Sequence, residues 1–206
     1  MKRLLVCLLL AVLLQTANFA RAAPPNFVVI FIDDMGYGDI EPFGSKINKT
    51  PHLNRMAREG RTLTSFYVAA PVCTPSRAAL MTGCYPQRVG LEKGSGHIVL
   101  FPGDHHGLHP DEITIAETLR AAGYATGCFG KWGIGSPPPL DDPQRHGFDE
   151  FYGYINMYHA HNYYPEFMIH NGRKVTLRNV LYDDWRAKRT GPREGAGVAR
   201  VARDYA

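Results

Sequence analysis

The chain has 206 residues, a net charge of +4 and four cysteines. Once a leader is set aside, that length suffices for one sizeable domain. The basic residues are scattered except in the tail from Arg186 to Arg203, and no nucleic-acid-binding motif occurs. The mild positive balance suits anionic substrates or an ordinary solvated surface.

The first 22 residues have the form of an export signal. Lys2 and Arg3 are the basic start, Leu4 to Leu14 the apolar stretch, and Ala20-Arg21-Ala22 a small-x-small cleavage site, with maturation after Ala22 or Ala23. The apolar stretch is short for a stable membrane span, and no other segment is long and apolar enough. The expected destination is therefore the periplasm or the extracellular space. Cys7 leaves with the leader, so Cys73, Cys84 and Cys128 remain. An odd number leaves at least one unpaired or modified.

Asn26 to Ile32 is a continuous apolar, β-branched run, expected to form a central strand covered on both faces. Asp33-Asp34-Met35-Gly36-Tyr37-Gly38-Asp39 marks a loop at its carboxyl end. Thr50-Pro51 opens a helix with Leu53, Met56 and Ala57 as its apolar stripe, closed by Gly60. Arg61 to Val68 reads as a second strand. A helical run follows at Cys73, with Thr74 as the expected cap, Pro75 as the first helical residue and Gly83 as the stop. Leu91 to His109, rich in Gly, His and Pro, is expected to be irregular. Thr114 and Glu117 form a capping box for a helix to Ala122, closed by Gly123. Tyr124 to Phe129 reads as a short strand running into Gly130-Lys131-Trp132. From Ser136 onward the chain is loop-rich, with Pro137-Pro138-Pro139, a Tyr/His/Asn-dense run from Tyr152 to Tyr164, and a linker-like stretch from Gly191 to Gly197.

The strand–helix–strand alternation predicts an α/β fold with a mainly parallel sheet. Ligands of such sheets collect at the carboxyl ends of the strands, where Asp33, Asp34 and Lys131 all fall. Adjacent carboxylates on a turn suit a hard divalent cation, although Asp-Asp also serves ordinary turns. Cys73 at a helix start lies where backbone N–H groups favour an anion. Arg77 offers a permanently charged planar fork.

Three strings, in order, carry a resemblance: Val-Val-Ile-Phe-Ile-Asp-Asp-Met-Gly-Tyr-Gly-Asp from Val28, Cys73-Thr74-Pro75-Ser76-Arg77, and Gly130-Lys131-Trp132-Gly133-Ile134-Gly135. Together they resemble the type I sulfatases over about Asn26 to Tyr152, and Gly147-Phe148-Asp149 recurs there in an architectural position. The resemblance implies an alkaline-phosphatase-like fold, of which 23–206 would be the N-terminal part of a truncated catalytic domain. It implies sulfuric ester hydrolysis through a formylglycine made from Cys73 by a formylglycine-generating or other sulfatase-maturating enzyme. It also implies Ca2+, or another divalent cation, at Asp33, Asp34 and residue 73, with Arg77 and Lys131 serving the catalytic group and the sulfate. Further metal ligands and a later Lys and His are expected outside this chain. Sulfatases carry Gly-Lys-Trp-His-Leu-Gly where this chain has Gly133 in the histidine position, and His97, His159 and His161 are the candidate substitutes. Phosphonate monoester or phosphodiester hydrolysis on the same scaffold, and non-catalytic binding of calcium or sulfated glycans, are the competing functions.

Overall fold

The computed structural model describes residues 23–135, 142–161, 164–181 and 197–198. The leader, the Pro137–Pro139 run, the basic tail apart from Gly197 and Val198, and all but the last residue of the Gly191–Gly197 stretch lie outside them. Two compact units divide the chain after Gly60.

In the first unit, residues 26–32 belong to no sheet, and Val28 and Ile30 are 84% and 69% exposed. The expectation of a covered central strand is therefore corrected for the described residues. Apolar, β-branched content favours an extended chain, but a strand requires a ladder partner. The Asp33-Asp34 turn follows, with Asp34 at φ 57°, a left-handed conformation that Asp tolerates better than most residues. Two single turns of 3-10 helix, Tyr37–Asp39 and Glu41–Phe43, come next, with Tyr37 stacked on Phe43 at 4.3 Å. Glu41 organises the approach to the Pro51–Glu59 helix. Its carboxylate accepts from the Thr50 amide at 2.8 Å and from Asn54 Nδ2 at 2.7 Å, which hold it below the usual carboxylate range. Pro51 is at the start of that helix, and the Gly60 amide donates to Met56 O at its end.

The second unit holds a four-stranded mixed sheet in the order β1 (Gly127–Lys131), β2 (Glu150–Tyr154), β3 (Phe167–His170), β4 (Arg173–Thr176). β1 and β2 run parallel, whereas β2–β3 and β3–β4 are antiparallel. The α/β class holds, and the parallel pairing lies at the β1–β2 edge. Arg61 to Val68, expected as a strand, is irregular, with Phe66 and Tyr67 72% and 85% exposed. The strand expected over Tyr124 to Phe129 starts three residues later and ends two residues later, as β1. β3 and β4 are joined by Asn171-Gly172, both at positive φ, as a two-residue hairpin demands.

The Cys73–Thr82 and Ile115–Ala121 helices pack beside this sheet, and Ala78, Ala116, Trp132, Ile134, Phe148 and Phe151 are central to one core. Leu91, Leu100 and Leu108 join it from the 91–109 excursion, which is irregular as expected yet anchored. Asp104 organises its turn, accepting from Phe101 N at 2.6 Å and Ser95 N at 3.2 Å. Burial pushes the Asp104 carboxyl up, but these hydrogen bonds outweigh it and hold the group below its ordinary value. Thr114 and Glu117 form the capping box, with bonds of 3.2 and 2.8 Å.

Gly147-Phe148-Asp149 is architectural. Gly147 sits at φ 92°, and a Cβ there would come within 2.5 Å of the Glu117 amide nitrogen. Phe148 meets Trp132 edge-on at 6.2 Å. Asp149 accepts from the Thr126 amide at 2.9 Å and its hydroxyl at 3.1 Å, which lowers its pKa. Gly147→Ala is therefore expected to destabilise by more than about 1 kcal/mol, through both the φ and the clash with helix backbone, measured by urea unfolding. Because Asp149 has its pKa lowered by folding, its contribution is fully present above the unfolded value near about 3.9 and is lost as pH falls through the folded value. In Asp149→Asn that component of the acid sensitivity should vanish in unfolding curves taken between neutral and acid pH.

Candidate active site

The Cys73–Thr82 helix begins at Cys73 itself, with Val72 as the extended residue before it and Gly83 closing it at φ 66°. Thr74 is thus the second helical residue and Pro75 the third, correcting the expectation that Thr74 caps and Pro75 starts the helix. The Thr74 hydroxyl has tertiary partners instead: it donates to Gly133 O at 3.0 Å and accepts from the Leu100 amide at 3.1 Å. One buried hydroxyl so joins the helix start, the segment after β1 and the 91–109 excursion. Truncating it leaves a buried carbonyl and a buried amide without their partner, so Thr74→Ala should cost about 1–3 kcal/mol in chemical denaturation.

Arg77 lies one helical turn after Cys73, so both occupy the same helix face. Its Nη1 donates to Lys131 O at 2.6 Å. Lys131 ends β1, and the next two residues continue beside β2: the Trp132 amide donates to Tyr154 O at 2.8 Å and the Gly133 amide to Ile155 O at 3.0 Å. Trp132 is 1% exposed and fills the core behind this segment. Cys73, Arg77 and Lys131, spread over nearly sixty residues of sequence, are thereby brought together by the Thr74–Gly133 and Arg77–Lys131 bonds. All three are partly exposed.

Gly133 sits at φ 70°, where a Cβ would lie 3.3 Å from both Arg77 Cδ and Lys131 Cε. The stems of the two cations therefore flank the position directly. Neither cation has an acceptor, so this wall of the site donates hydrogen bonds and carries positive charge.

Asp33 and Asp34 are exposed on the turn of the first unit. Their carboxylates are hard oxygen donors of the kind a Ca2+ or Mg2+ ion takes, and the left-handed Asp34 breaks the strand alternation that would separate them. Among the described residues, no group of three His, Cys, Asp or Glu side chains is placed to hold an ion. Cys73 is partly exposed and forms no disulfide. Cys84 and Cys128 are unpaired too, and burial pushes the Cys128 thiol up to about 11.

The Tyr152–Tyr164 run divides between packing and exposure. His159 is 5% exposed, bonded through Nε2 to Phe167 O at 2.7 Å and set against the Tyr154 and Phe167 rings. His97 is exposed and lies tilted against Phe101 at 4.4 Å, and Phe101 meets Tyr158 edge-on at 5.5 Å. His161 is exposed at the end of the Met157–Ala160 helical turn. Sequence reasoning missed Thr74 as the bridging residue. The one signal for it was a hydroxyl followed by a buried Pro-Ser pair and a small-residue run.

A strand-end lysine is docked against a helix that starts at a cysteine and carries an arginine one turn later, which groups two cations with that helix start in an α/β protein. The sulfatase family model matches residues 25–190, and the chain belongs to that family. It is 47% identical to the steryl-sulfatase of Rattus norvegicus over 155 residues, covering 70% of this chain and 27% of the relative. It is 48% identical to arylsulfatase A of Bos taurus over 138 residues, covering 66% and 26%. Among solved structures, the PsFucS1 sulfatase from Pseudoalteromonas sp. superposes with a TM-score of 0.58 at 36% identity, over 70% of this chain and 28% of that one. The chain thus spans about a quarter of the length of these curated relatives.

Proposed function

We propose that the intact protein hydrolyses sulfate monoesters, with residue 73 acting as formylglycine after maturation by a dedicated enzyme. The observation that carries this reading is the docking of Lys131 and Gly133 onto the helix that starts at Cys73, through Arg77 and Thr74. The hydrated aldehyde supplies a hydroxyl nucleophile and, in its second hydroxyl, the means of releasing sulfate afterward. Arg77 orients residue 73 by charge-assisted hydrogen bonds, and its bond to Lys131 O holds both cations on one wall. Lys131 offsets the charge on the sulfuryl oxygens as the leaving group departs. Asp33 and Asp34 would hold part of the coordination of a divalent ion, and such an ion would supply Lewis-acid activation of a hydroxyl. The Lys2–Ala22 leader directs the protein out of the cytoplasm, where anionic esters of polymers and small molecules are met. Among the described residues no helix is long and apolar enough to cross a membrane.

The test is turnover by the full-length protein, co-expressed with a maturating enzyme, on paired aryl sulfate and aryl phosphonate esters. Preferential release of sulfate supports the reading. Preferential phosphonate hydrolysis, or calcium binding with no turnover of either ester, contradicts it.

A further inference from the structure

His146 is a buried titratable group that the proposed mechanism does not use. It ends the Pro143–His146 turn and is 1% exposed, and its Nδ1 is shut off from solvent with no hydrogen-bond partner among the described residues. Backbone contacts on either side fix its place. His146 O accepts from the Thr114 hydroxyl at 2.7 Å, and Gly147 O accepts from the Thr126 hydroxyl at 2.6 Å. The ring lies over Trp132, 5.5 Å away and tilted by 31°. Trp132 stands between the two carbonyls that join β1 to the Cys73–Thr82 helix: Lys131 O accepts from Arg77, and Gly133 O accepts from the Thr74 hydroxyl. The imidazole therefore braces, through the indole, the segment that carries the cationic wall.

That brace suits one protonation state. Whichever nitrogen carries the hydrogen of the neutral ring, the imidazolium carries two, one of them at Nδ1, where no acceptor lies. The charged groups that act on the ring are Glu117, from the Ile115–Ala121 helix, and Asp142, from the start of its own turn; from the β1 side it meets an uncharged indole. Both carboxylates are already engaged, Glu117 by the Thr114 amide at 2.8 Å and Asp142 by the Gln144 amide at 3.0 Å and the Arg145 guanidinium at 3.7 Å. Burial lowers the pKa of the imidazole, and the attraction of the two carboxylates offsets only part of that. A cation is drawn to an indole face, yet less strongly than an unpartnered buried charge is penalised.

We propose that His146 is an acid-sensing positioning residue: its neutral ring holds Trp132, and with it the Lys131–Gly133 segment, against the Cys73–Thr82 helix, and its protonation releases them. The consequence for turnover rests on the sulfatase reading above; the consequence for the fold does not. Because the unfolded chain binds this proton first, the contribution is fully present above the unfolded value near about 6.5 and is lost as pH falls below it through the folded value. Carboxylates with lowered values, such as Asp149, act below about 4, so the two windows are distinct.

The experiment uses the full-length matured protein and its His146→Gln and His146→Phe variants, both uncharged at residue 146 at every pH. Urea unfolding, tryptophan emission without urea, and kcat on an aryl sulfate are followed from pH 7.5 to 4.5, each relative to its own value at pH 7.5. In the unaltered protein the folding equilibrium constant should fall below about pH 6.5, with His146 contributing up to about tenfold per pH unit, the slope of one proton. A red shift of the emission and a loss of kcat should accompany it, both reversed on return to pH 7.5. In the variants the slope should be shallower by that one-proton factor, the red shift should disappear, and relative kcat at pH 5 should exceed that of the unaltered protein. The proposal is overturned if the unaltered protein keeps constant stability and emission down to pH 4.5, or if the variants show its acid step undiminished. Should neither variant fold at pH 7.5, the unaltered protein decides alone: a reversible acid red shift supports the proposal, and constant emission overturns it. Absence of turnover on any sulfate ester by the unaltered protein overturns the sulfatase reading, and the unfolding and emission results then decide this proposal separately.

Discussion

Cys73→Ser is expected to abolish sustained turnover of sulfate esters while leaving the fold intact. Cys73 is the first residue of its helix and is partly exposed, and serine fits the same place with a smaller atom, so unfolding midpoints should move little. The chemistry is different. A serine hydroxyl can accept a sulfuryl group once, but it lacks the second hydroxyl whose proton loss releases sulfate. The variant should therefore show at most one equivalent of phenol per protein, followed by a flat trace. Continued multiple turnover would remove the hydrated aldehyde from the account, whatever the family relationship.

Trp132→Ala has the largest expected effect on stability. The ring is 1% exposed, meets Phe148 edge-on and lies tilted over the His146 ring at 5.5 Å. Removing it leaves a cavity between the β1–β2 edge and the 3-10 turn at Pro143–His146, at a cost of about 3–5 kcal/mol. His146 is also exposed to the consequence. It is fully buried, and burial lowers its pKa, so the neutral ring is the folded form. Opening a wet cavity beside it would ease that restriction. Because Trp132 separates Lys131 from Gly133 in the chain, activity should fall beyond the loss of folded protein. Guanidinium unfolding gives the first quantity, and kcat on the remaining folded fraction gives the second. A loss under about 1 kcal/mol would mean that the surrounding residues collapse into the space.

What the sequence made legible follows from how local each signal is. The Thr114–Glu117 capping box and the stops at Gly60 and Gly83 depend on residues within a turn or two, and the structure has them. Thr74 misled because its local preference for capping yields to tertiary partners 26 and 59 residues away. The apolar runs at 26–32 and 61–68 misled for the opposite reason: propensity is a property of the segment, whereas a strand is a property of a pair. β2, β3 and β4 lie where glycine, tyrosine, histidine and asparagine suggested loops. Asn171-Gly172, a strong short-range hairpin signal, was available there to locate the β3–β4 pair. Of the candidate site, the motifs named Cys73, Arg77 and Lys131, but not the Thr74 hydroxyl and the Arg77–Lys131 O bond that join them.

Conversion of the Cys73 side chain is read from the mass of the tryptic peptide containing residue 73, taken from full-length protein produced with a maturating enzyme. The expected result is the mass of an aldehyde at residue 73, with capture by a hydrazide probe. An intact thiol at that position, in protein that nonetheless hydrolyses sulfate esters at full rate, would contradict it.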